Sequence, residues 1–248
     1  IELFRTHLNQ LLAQSNQTES EEFHKNLLAD FLKHVYYHPN FFINTKGRND
    51  LVIHTDASPQ SAVGVIIEAK KPANKAEMPL PAKETPQPEN LNVKALQELV
   101  LYFLRERIRE KNLEIKQLAI TNIYEWFIFD AAVFEREFAQ NKKLVQDFIE
   151  FDEGRLTDKS TDFFYREIAA PAIGQAENLS YTYVDLREYQ PLLENAAPET
   201  DQPLIALFKL FSPEHLLKLP FANDSNSLDK TFYAELLHIV GLAEVKRS

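Results

Sequence analysis

Asp50, Glu68 and Lys70 are the residues of this sequence whose types and spacing best suit a chemical reaction. Carboxylate oxygens are the protein ligands that Mg²⁺ prefers, and waters or main-chain carbonyls complete its octahedron. We therefore expect Asp50 and Glu68 to bind the ion, with the Ile67 carbonyl as a further ligand. Lys70 would orient the attacking water or stabilise charge that develops on a phosphate. The pattern predicts a metal-dependent phosphodiesterase.

A hairpin would bring these three residues together. Residues 50–54 and 62–70 have the composition of strands, and the stretch 56–59 (Asp-Ala-Ser-Pro) is typical of a turn. Side chains on a strand alternate between faces, so Glu68 and Lys70 point the same way. Val63, Val65 and Ile67 are expected together on the other face. The alternative is a simple surface ion pair, but the Glu-x-Lys sequence ends an apolar run in which unpaired charges are costly.

The remaining pattern predicts an α/β fold with a central mixed sheet, helices on its faces and a mostly helical C-terminal extension. Helices are expected where apolar residues recur every three or four positions, and strands where β-branched and aromatic residues cluster. The predicted helices are residues 2–13, 20–34, 92–109, 132–148, 163–169, 203–211 and 228–240. Further strands are expected near residues 40–44, at 117–121, 126–129 and 179–186, and a proline-rich loop at 72–90.

The amino-acid composition argues against several classes of function. Five glycines in 248 residues and the absence of a GxxxxGK[ST] or GxGxxG sequence argue against nucleotide-dependent chemistry. The sequence has no cysteine, which excludes disulfides and cysteine-bound zinc. No apolar run is long enough for a transmembrane helix. We therefore expect a cytoplasmic protein without a membrane partner. The net charge of −10 argues against a free-standing, non-specific DNA binder. Because the chain starts at Ile1 rather than Met, we expect a fragment or processed product.

Four stretches resemble the N-terminal PD-(D/E)xK endonuclease region of single-chain restriction-modification enzymes of type IIG. They are residues 43–53 (INTKGRNDLVI), 65–78 (VIIEAKKPANKAEM), 91–108 (LNVKALQELVLYFLRERI) and 120–131 (ITNIYEWFIFDA). The resemblance covers about residues 20 to 190, with Asn49 standing where the family's Pro would be. It puts the metal-binding acids at Asp50 and Glu68 and the lysine at Lys70.

The resemblance implies a restriction-endonuclease-like core over residues 1–190 and a helical extension or linker over 191–248. It implies Mg²⁺ as cofactor, with Mn²⁺ as a substitute, and double-stranded DNA as substrate. Relatives of this type continue into a methyltransferase and a target-recognition domain, which we expect as fused partners of this chain.

Other residues are candidates for the same site. An acid from the first helix often joins it, and Glu21 is preferred to Glu22 because it lies nearer the apolar stripe of its helix. Many relatives carry Gln-x-x-x-Tyr on the helix after the Glu-x-Lys strand. Here Gln97 and Tyr102 are one residue too far apart, although Glu98 and Tyr102 do face together. Gln97 is taken as the site-side residue.

Basic residues around the acids are candidates for phosphate contacts, with a solvated loop as the alternative. They are Lys46, Arg48, Lys71 and Lys75. Tyr124 and Trp126 could touch nucleotides, but Trp126 is expected in the core. Two other functions stay open: a catalytically silent nuclease-like module that binds DNA or packs on a methyltransferase, and a nuclease of repair or recombination.

Overall fold

A computed structural model of the chain describes residues 1–46, 49–82, 87–194 and 201–219. The side chains of Lys46, Asn49, Asp50 and Asp201 lie outside that description. The predicted helix at 228–240 also falls outside it. Within the described part, no helix is both long and apolar enough to cross a membrane.

The fold is α/β, with a six-stranded mixed sheet flanked by helices and a helical C-terminal region, so the predicted fold class is confirmed. The strands are β1 (Ile43–Lys46), β2 (Asn49–His54), β3 (Val63–Ala69), β4 (Gln117–Thr121), β5 (Glu125–Asp130) and β6 (Thr182–Asp185). They lie side by side in chain order. Only the β3–β4 pair is parallel, because the chain between them crosses over through a helix.

The helices occupy both faces of this sheet. They are α1 (Glu2–Gln14), α2 (Glu21–Leu32), α3 (Pro88–Leu91), α4 (Lys94–Leu104), α5 (Ala131–Phe134), α6 (Lys142–Asp152), α7 (Thr161–Phe163), α8 (Ala170–Gly174), α9 (Gln190–Glu194), α10 (Asp201–Leu210) and α11 (Pro213–Leu216). Wider π-type turns continue four of them, at Lys33–Tyr37, Arg105–Arg109, Glu135–Ala139 and Phe164–Ala169. Short 3₁₀ turns lie at Lys75–Glu77 and Leu186–Tyr189.

Two apolar cores lie on opposite faces of the sheet. On the face that we call the α4 face, residues such as Val52, Ile66, Leu118 and Phe127 pack against α4, α6 and the turn at Phe164–Ala169. On the opposite α2 face, residues such as Leu51, Ile67, Ala119 and Trp126 pack against α1, α2, α10 and α11. Burial of each large apolar side chain stabilises the fold by roughly 1.5–3 kcal/mol. The predicted core position of Trp126 is confirmed, at 1% exposure.

A bulge at Gly64 changes the predicted facing of β3. Ile53 pairs with Val65, but His54 pairs with Val63, so Gly64 is an extra residue opposite β2. Val65 and Ile67 therefore pack on the α2 face, whereas Val63 packs with Ile66 on the α4 face. The expectation that Val63 faces the same way as Val65 and Ile67 is wrong. The inserted residue interrupts the alternation of side chains between the two faces of the strand.

The single helix predicted at 132–148 is also wrong. The chain turns at Gln140 and Asn141, between the turn at Glu135–Ala139 and α6. The Asn141 side chain accepts a hydrogen bond from the Leu144 main-chain N–H and so begins a new helix. Apolar periodicity continues through the break, which is why the sequence pattern does not reveal it. In contrast, the predicted cap of α2 is confirmed, since Ser20 Oγ accepts from the Phe23 N–H.

Candidate active site

Glu68 and Lys70 lie at the end of β3, which is flanked by β2 on one side and β4 on the other. The two side chains share one face of the strand, as predicted, and the Lys70 Nζ is 2.6 Å from Glu68 Oε1. Glu68 is only 1% exposed and Lys70 only 4%. They alternate with Ala69, which packs on the α2 face, so the charged pair points to the α4 face.

Lys70 has a second carboxylate partner on α4. This helix packs across β3 and β4 through a fully buried apolar stripe that includes Leu96, Leu99 and Phe103. The same packing directs Glu98 towards the sheet, and Lys70 Nζ donates to Glu98 Oε2 over 2.5 Å. The ammonium group is thus buried between two carboxylates from different elements. We call Glu68, Lys70 and Glu98 the buried triad.

Two further charges border the buried triad. Glu77, in the 3₁₀ turn that follows β3, approaches Lys70 Nζ to 3.6 Å. Lys94, in the first turn of α4, lies 3.7 Å from Glu77 and 4.0 Å from Glu98. Glu77 is 30% exposed and Lys94 is 46% exposed, so this outer pair reaches solvent. The five side chains carry three carboxylates against two ammonium groups.

The electrostatic surroundings keep Lys70 positively charged. Burial by itself would lower the pKa of Lys70, but the charges and hydrogen bonds of Glu68 and Glu98 outweigh it and hold that pKa well above its ordinary value. A lysine in this state acts through its charge. It would not take a proton from a water at neutral pH.

Tyr165 is the neutral neighbour of the triad. It follows α7, in the turn that packs on α4. Burial, together with the negative charge of Glu98 and Glu68, raises the pKa of Tyr165 to about 12, against smaller opposing effects of Thr161 and Arg105. The phenol therefore stays protonated at neutral pH and can donate a hydrogen bond.

The main chain of Asp50 lies in β2, next to Leu51. Leu51 pairs with Ile67, so the strand register carries position 50 towards Glu68. The Asp50 side chain is outside the described residues, and its predicted carboxylate contact with Glu68 stays a prediction. Ile67 directs its side chain to the α2 face. Among the described residues, no group of three His, Cys, Asp or Glu side chains forms a metal site.

Glu21 and Glu22 begin α2, which packs on the opposite face of the sheet from the triad. Glu21 is half-buried, whereas Glu22 is exposed and forms an ion pair with Lys25 at 3.2 Å. A site shared by Glu21 and Glu68 would have to lie at the edge of the sheet. The preference for Glu21 over Glu22 stays a prediction.

Gln97 is not part of the triad network. Its side chain donates to Asn92 Oδ1 over 3.0 Å, and Asn92 in turn donates to the Ala170 carbonyl. Glu98 takes the position on α4 that Gln97 was expected to fill. The signal was present in the sequence, since Glu98 and Tyr102 have the i, i+4 spacing that Gln97 lacks. Gln97 as a residue on the side of the site stays a prediction.

Two of the four basic residues predicted to contact phosphates have described side chains. Lys71 is half-buried and Lys75 is exposed, and neither has a carboxylate partner among the ion pairs of the described residues. Arg48 and the Lys46 side chain lie outside the described part. Tyr124 donates a hydrogen bond to the Ser15 carbonyl over 3.0 Å, and the Arg187 guanidinium lies over its ring in a cation–π contact. Tyr124 therefore links elements of the fold.

Comparison with known protein families matches residues 1–224 to a model described as a domain of unknown function, DUF7149. No curated protein and no solved structure matches the chain.

Proposed function

The chain belongs to the DUF7149 family, and since that family has no assigned function, we propose from the buried triad that it is a Mg²⁺-dependent DNA endonuclease domain. The observation that carries the proposal is the Lys70 ammonium, 4% exposed and held between the Glu68 and Glu98 carboxylates at the end of a central strand. Buried charges are costly unless they are paired. Here they are paired, and they lie beside the strand position of a third acid, Asp50.

The donor set suits a divalent cation. Asp50, Glu68 and Glu98 would hold Mg²⁺, or Mn²⁺ in its place, because hard cations prefer carboxylate oxygens. The described cluster already has one carboxylate more than it has ammonium groups. When bound, the ion would polarise a phosphate and favour deprotonation of a water.

Lys70 would act as a fixed positive charge. Its raised pKa keeps it protonated, so it would orient the phosphate and stabilise the charge that develops there. In the hydrolysis, a water oxygen bonds to phosphorus while the bond from phosphorus to the leaving sugar oxygen breaks. The attacking water gives up a proton to solvent, and the leaving oxygen takes up a proton from solvent. Tyr165, which stays protonated, could donate a hydrogen bond at the rim of the site.

Double-stranded DNA is the proposed substrate. Lys71 and Lys75 follow the triad in sequence and would contact phosphates beside it. They do not offset a net charge of −10, so we propose that fused domains hold the DNA. The sequence resemblance to type IIG enzymes supports a methyltransferase and a target-recognition domain in that role. It also supports residues 1–190 as the nuclease domain, residues 191–248 as the connection, and a cytoplasmic location.

A second candidate is a catalytically silent module. The observation in its favour is that Lys70 already pairs with both Glu68 and Glu98, as in an ion cluster that only maintains a fold. In that case the triad would contribute to stability and specificity of packing, and no metal would bind.

The proposal is tested by nicking of supercoiled plasmid by the full chain with Mg²⁺ or Mn²⁺, and by calorimetric titration with Mn²⁺. Lys70→Met keeps the aliphatic stem but removes the charge, and we expect at least about a 100-fold loss of nicking. Asp50→Asn changes one charge at nearly constant size and should weaken both nicking and Mn²⁺ binding. Lys143→Met is the control, because Lys143 is 84% exposed on α6 and pairs with Asp147.

Circular dichroism melts separate the two candidates. If Lys70→Met is folded and inactive, the nuclease assignment holds. If the unaltered chain neither nicks DNA nor binds Mn²⁺, and Lys70→Met is destabilised by about 3–5 kcal/mol, the cluster is structural and the nuclease proposal is overturned.

A further inference from the structure

A pocket of about 550 Å³ opens on the α2 face, between α2 and the β1–β2 edge of the sheet. We call it the α2 pocket. It is bounded by one face of α2, by the segment that leads into β1, and by Leu51 of β2. Leu51 belongs to the opposite core from the buried triad. The α2 pocket is therefore separate from the candidate active site.

The floor of the α2 pocket is apolar and closed. Ala29 is 7% exposed, Ile43 is 3% exposed and Leu51 is 2% exposed. Phe41 and Phe42 add two half-buried rings. Phe41 is held edge-on to Tyr37 at 6.0 Å, and Phe42 lies 5.7 Å from the His54 ring. Rings fixed in this way offer flat apolar surface without further loss of side-chain freedom.

The rim is rich in hydrogen-bond donors and is positively charged. Lys25 lies on α2 and Lys33 begins the turn that follows it, and both line the pocket. Glu22 is the one acid among the described residues that line the pocket, and it pairs with Lys25 at 3.2 Å. Lys33 has no carboxylate within ion-pair distance in the described ranges. A locally positive rim on a chain of net charge −10 attracts anions to this place rather than to the surface in general.

Two amide side chains complete the rim. Asn26 is exposed on α2, and Asn44 lies in β1 with its Oδ1 held 2.9 Å from His54 Nε2. The other ring nitrogen of His54 lies 2.8 Å from the Ser61 carbonyl, so this network holds the Asn44 amide in place at the rim. Amide side chains can also pair with the polar edge of a planar heterocycle.

From this arrangement we propose that the α2 pocket binds a nucleoside phosphate. The phosphate would lie on Lys33 and Lys25, the base against Phe41 and Phe42, and the amides of Asn26 and Asn44 at the base or sugar edge. The volume is within the range of small-molecule sites, which is about 300–1,000 Å³. Stacking on aromatic rings together with cationic phosphate contacts is the usual way in which proteins hold single nucleotides of a strand. The inference does not depend on the proposed nuclease activity.

The experiment is isothermal titration of the full chain with deoxyadenosine monophosphate in EDTA, so that metal-dependent cleavage plays no part. We expect saturable binding that Lys33→Glu weakens at least tenfold. Asn26→Asp, at an exposed position, adds a negative charge to the rim and should also weaken binding. Lys142→Glu, an exposed lysine at the start of α6, makes the same charge change away from the pocket and should bind as the unaltered chain does.

Two further ligands identify the chemistry. Deoxyadenosine and inorganic phosphate should each bind at least tenfold more weakly than the nucleotide, because each lacks half of the contacts. Competition by a single-stranded oligonucleotide would mean that the pocket takes a unit of a chain, and lack of competition would mean a free nucleotide. The inference is overturned if the nucleotide does not bind, if phosphate alone binds equally well, or if folded Lys33→Glu and Asn26→Asp chains bind unchanged.

Discussion

Tyr36 and Tyr37 are neighbours in sequence whose hydroxyl groups are both buried, but only one of them is hydrogen-bonded. Tyr37 donates to the Phe211 carbonyl over 2.9 Å and so links the turn that follows α2 to the residue after α10. The Tyr36 hydroxyl has no hydrogen-bond partner within the described part of the chain. Burial raises the pKa of both phenols well above the ordinary value, and Tyr37 is affected in addition by Glu214.

Removing the two hydroxyls should therefore have opposite consequences. Tyr37→Phe leaves the buried Phe211 carbonyl without its donor, and we expect the free energy of unfolding to fall by about 1–2 kcal/mol. Tyr36→Phe removes a buried polar group that gains nothing, and we expect no loss or a small gain. Urea unfolding of the two variants side by side measures the difference. Equal destabilisation by both would contradict the contrast drawn from the hydrogen bond.

At the scale of elements, Gly64 allows α11 to approach the sheet. The bulge in β3 brings this residue under Leu217, just after α11, and a Cβ added at Gly64 would lie 2.4 Å from Leu217 Cδ2 and 3.3 Å from Thr55 Cγ2. Leu217 is 3% exposed, so its side chain has little room to retreat. The close approach depends on the missing side chain of Gly64.

Gly64→Ala should reduce stability by about 1–3 kcal/mol, since overpacking forces neighbouring side chains off their rotamers. In a Leu217→Ala background, which itself leaves a cavity, the same change should cost clearly less. Gly174→Ala is the matched control. Its added Cβ would lie 4.0 Å from Asn92 Nδ2, an ordinary van der Waals distance, so we expect a change within about 0.5 kcal/mol. Additive effects of Gly64→Ala and Leu217→Ala in thermal melts would show that the two positions do not interact.

At the scale of the whole molecule, the segment after residue 190 packs into the same core as the first helices. Leu204, Leu207 and Phe211 join the α2 face, and the Phe211 ring lies 4.7 Å from the Trp126 ring of β5. Lys218 pairs with Asp130 at 2.6 Å across the end of β5. His215, 9% exposed in α11, is buried beside this pair.

His215 should make folding stability depend on mildly acidic pH. Burial and the charge of Lys218 lower the pKa of His215 to about 4 from an ordinary 6.5, against a smaller opposing effect of Asp130. Between these values the unfolded chain binds a proton that the folded chain does not, so stability falls as pH falls from about 6.5 to about 4. The loss amounts to at most about 3 kcal/mol at the lower end.

Urea unfolding at several pH values checks this dependence. His215→Gln should remove the part of the acid sensitivity that comes from His215. The difference in free energy of unfolding between this variant and the unaltered chain should therefore change between about pH 6.5 and about pH 4, and stay constant above about pH 6.5. His34→Gln makes the same change of residue type at an exposed position and is the matched control. Parallel profiles for the His215→Gln and unaltered chains would refute the assignment.

The sequence by itself determined the elements that carry strong local signals. Strand alternation, turn chemistry and the Ser20 cap act over a few residues, so the β2–β3 hairpin, the shared face of Glu68 and Lys70 and the course of α4 could be predicted. The α/β class followed from the order of those elements. The break at Asn141 could not be predicted. The helical spacing of apolar residues continues past it, and a single capping residue is too weak a signal to indicate that the helix ends.

Only the tertiary structure decided which charges meet. Glu98 lies 28 positions from Lys70 in the chain, and the two are brought together by packing of α4 across β3, which local periodicity cannot specify. The same holds for Gly64, whose role depends on a leucine more than a hundred residues later. The spacing of Asp50, Glu68 and Lys70 suggested the chemistry from the sequence. The burial of Lys70, and the second carboxylate that helps to keep it charged, come from the fold.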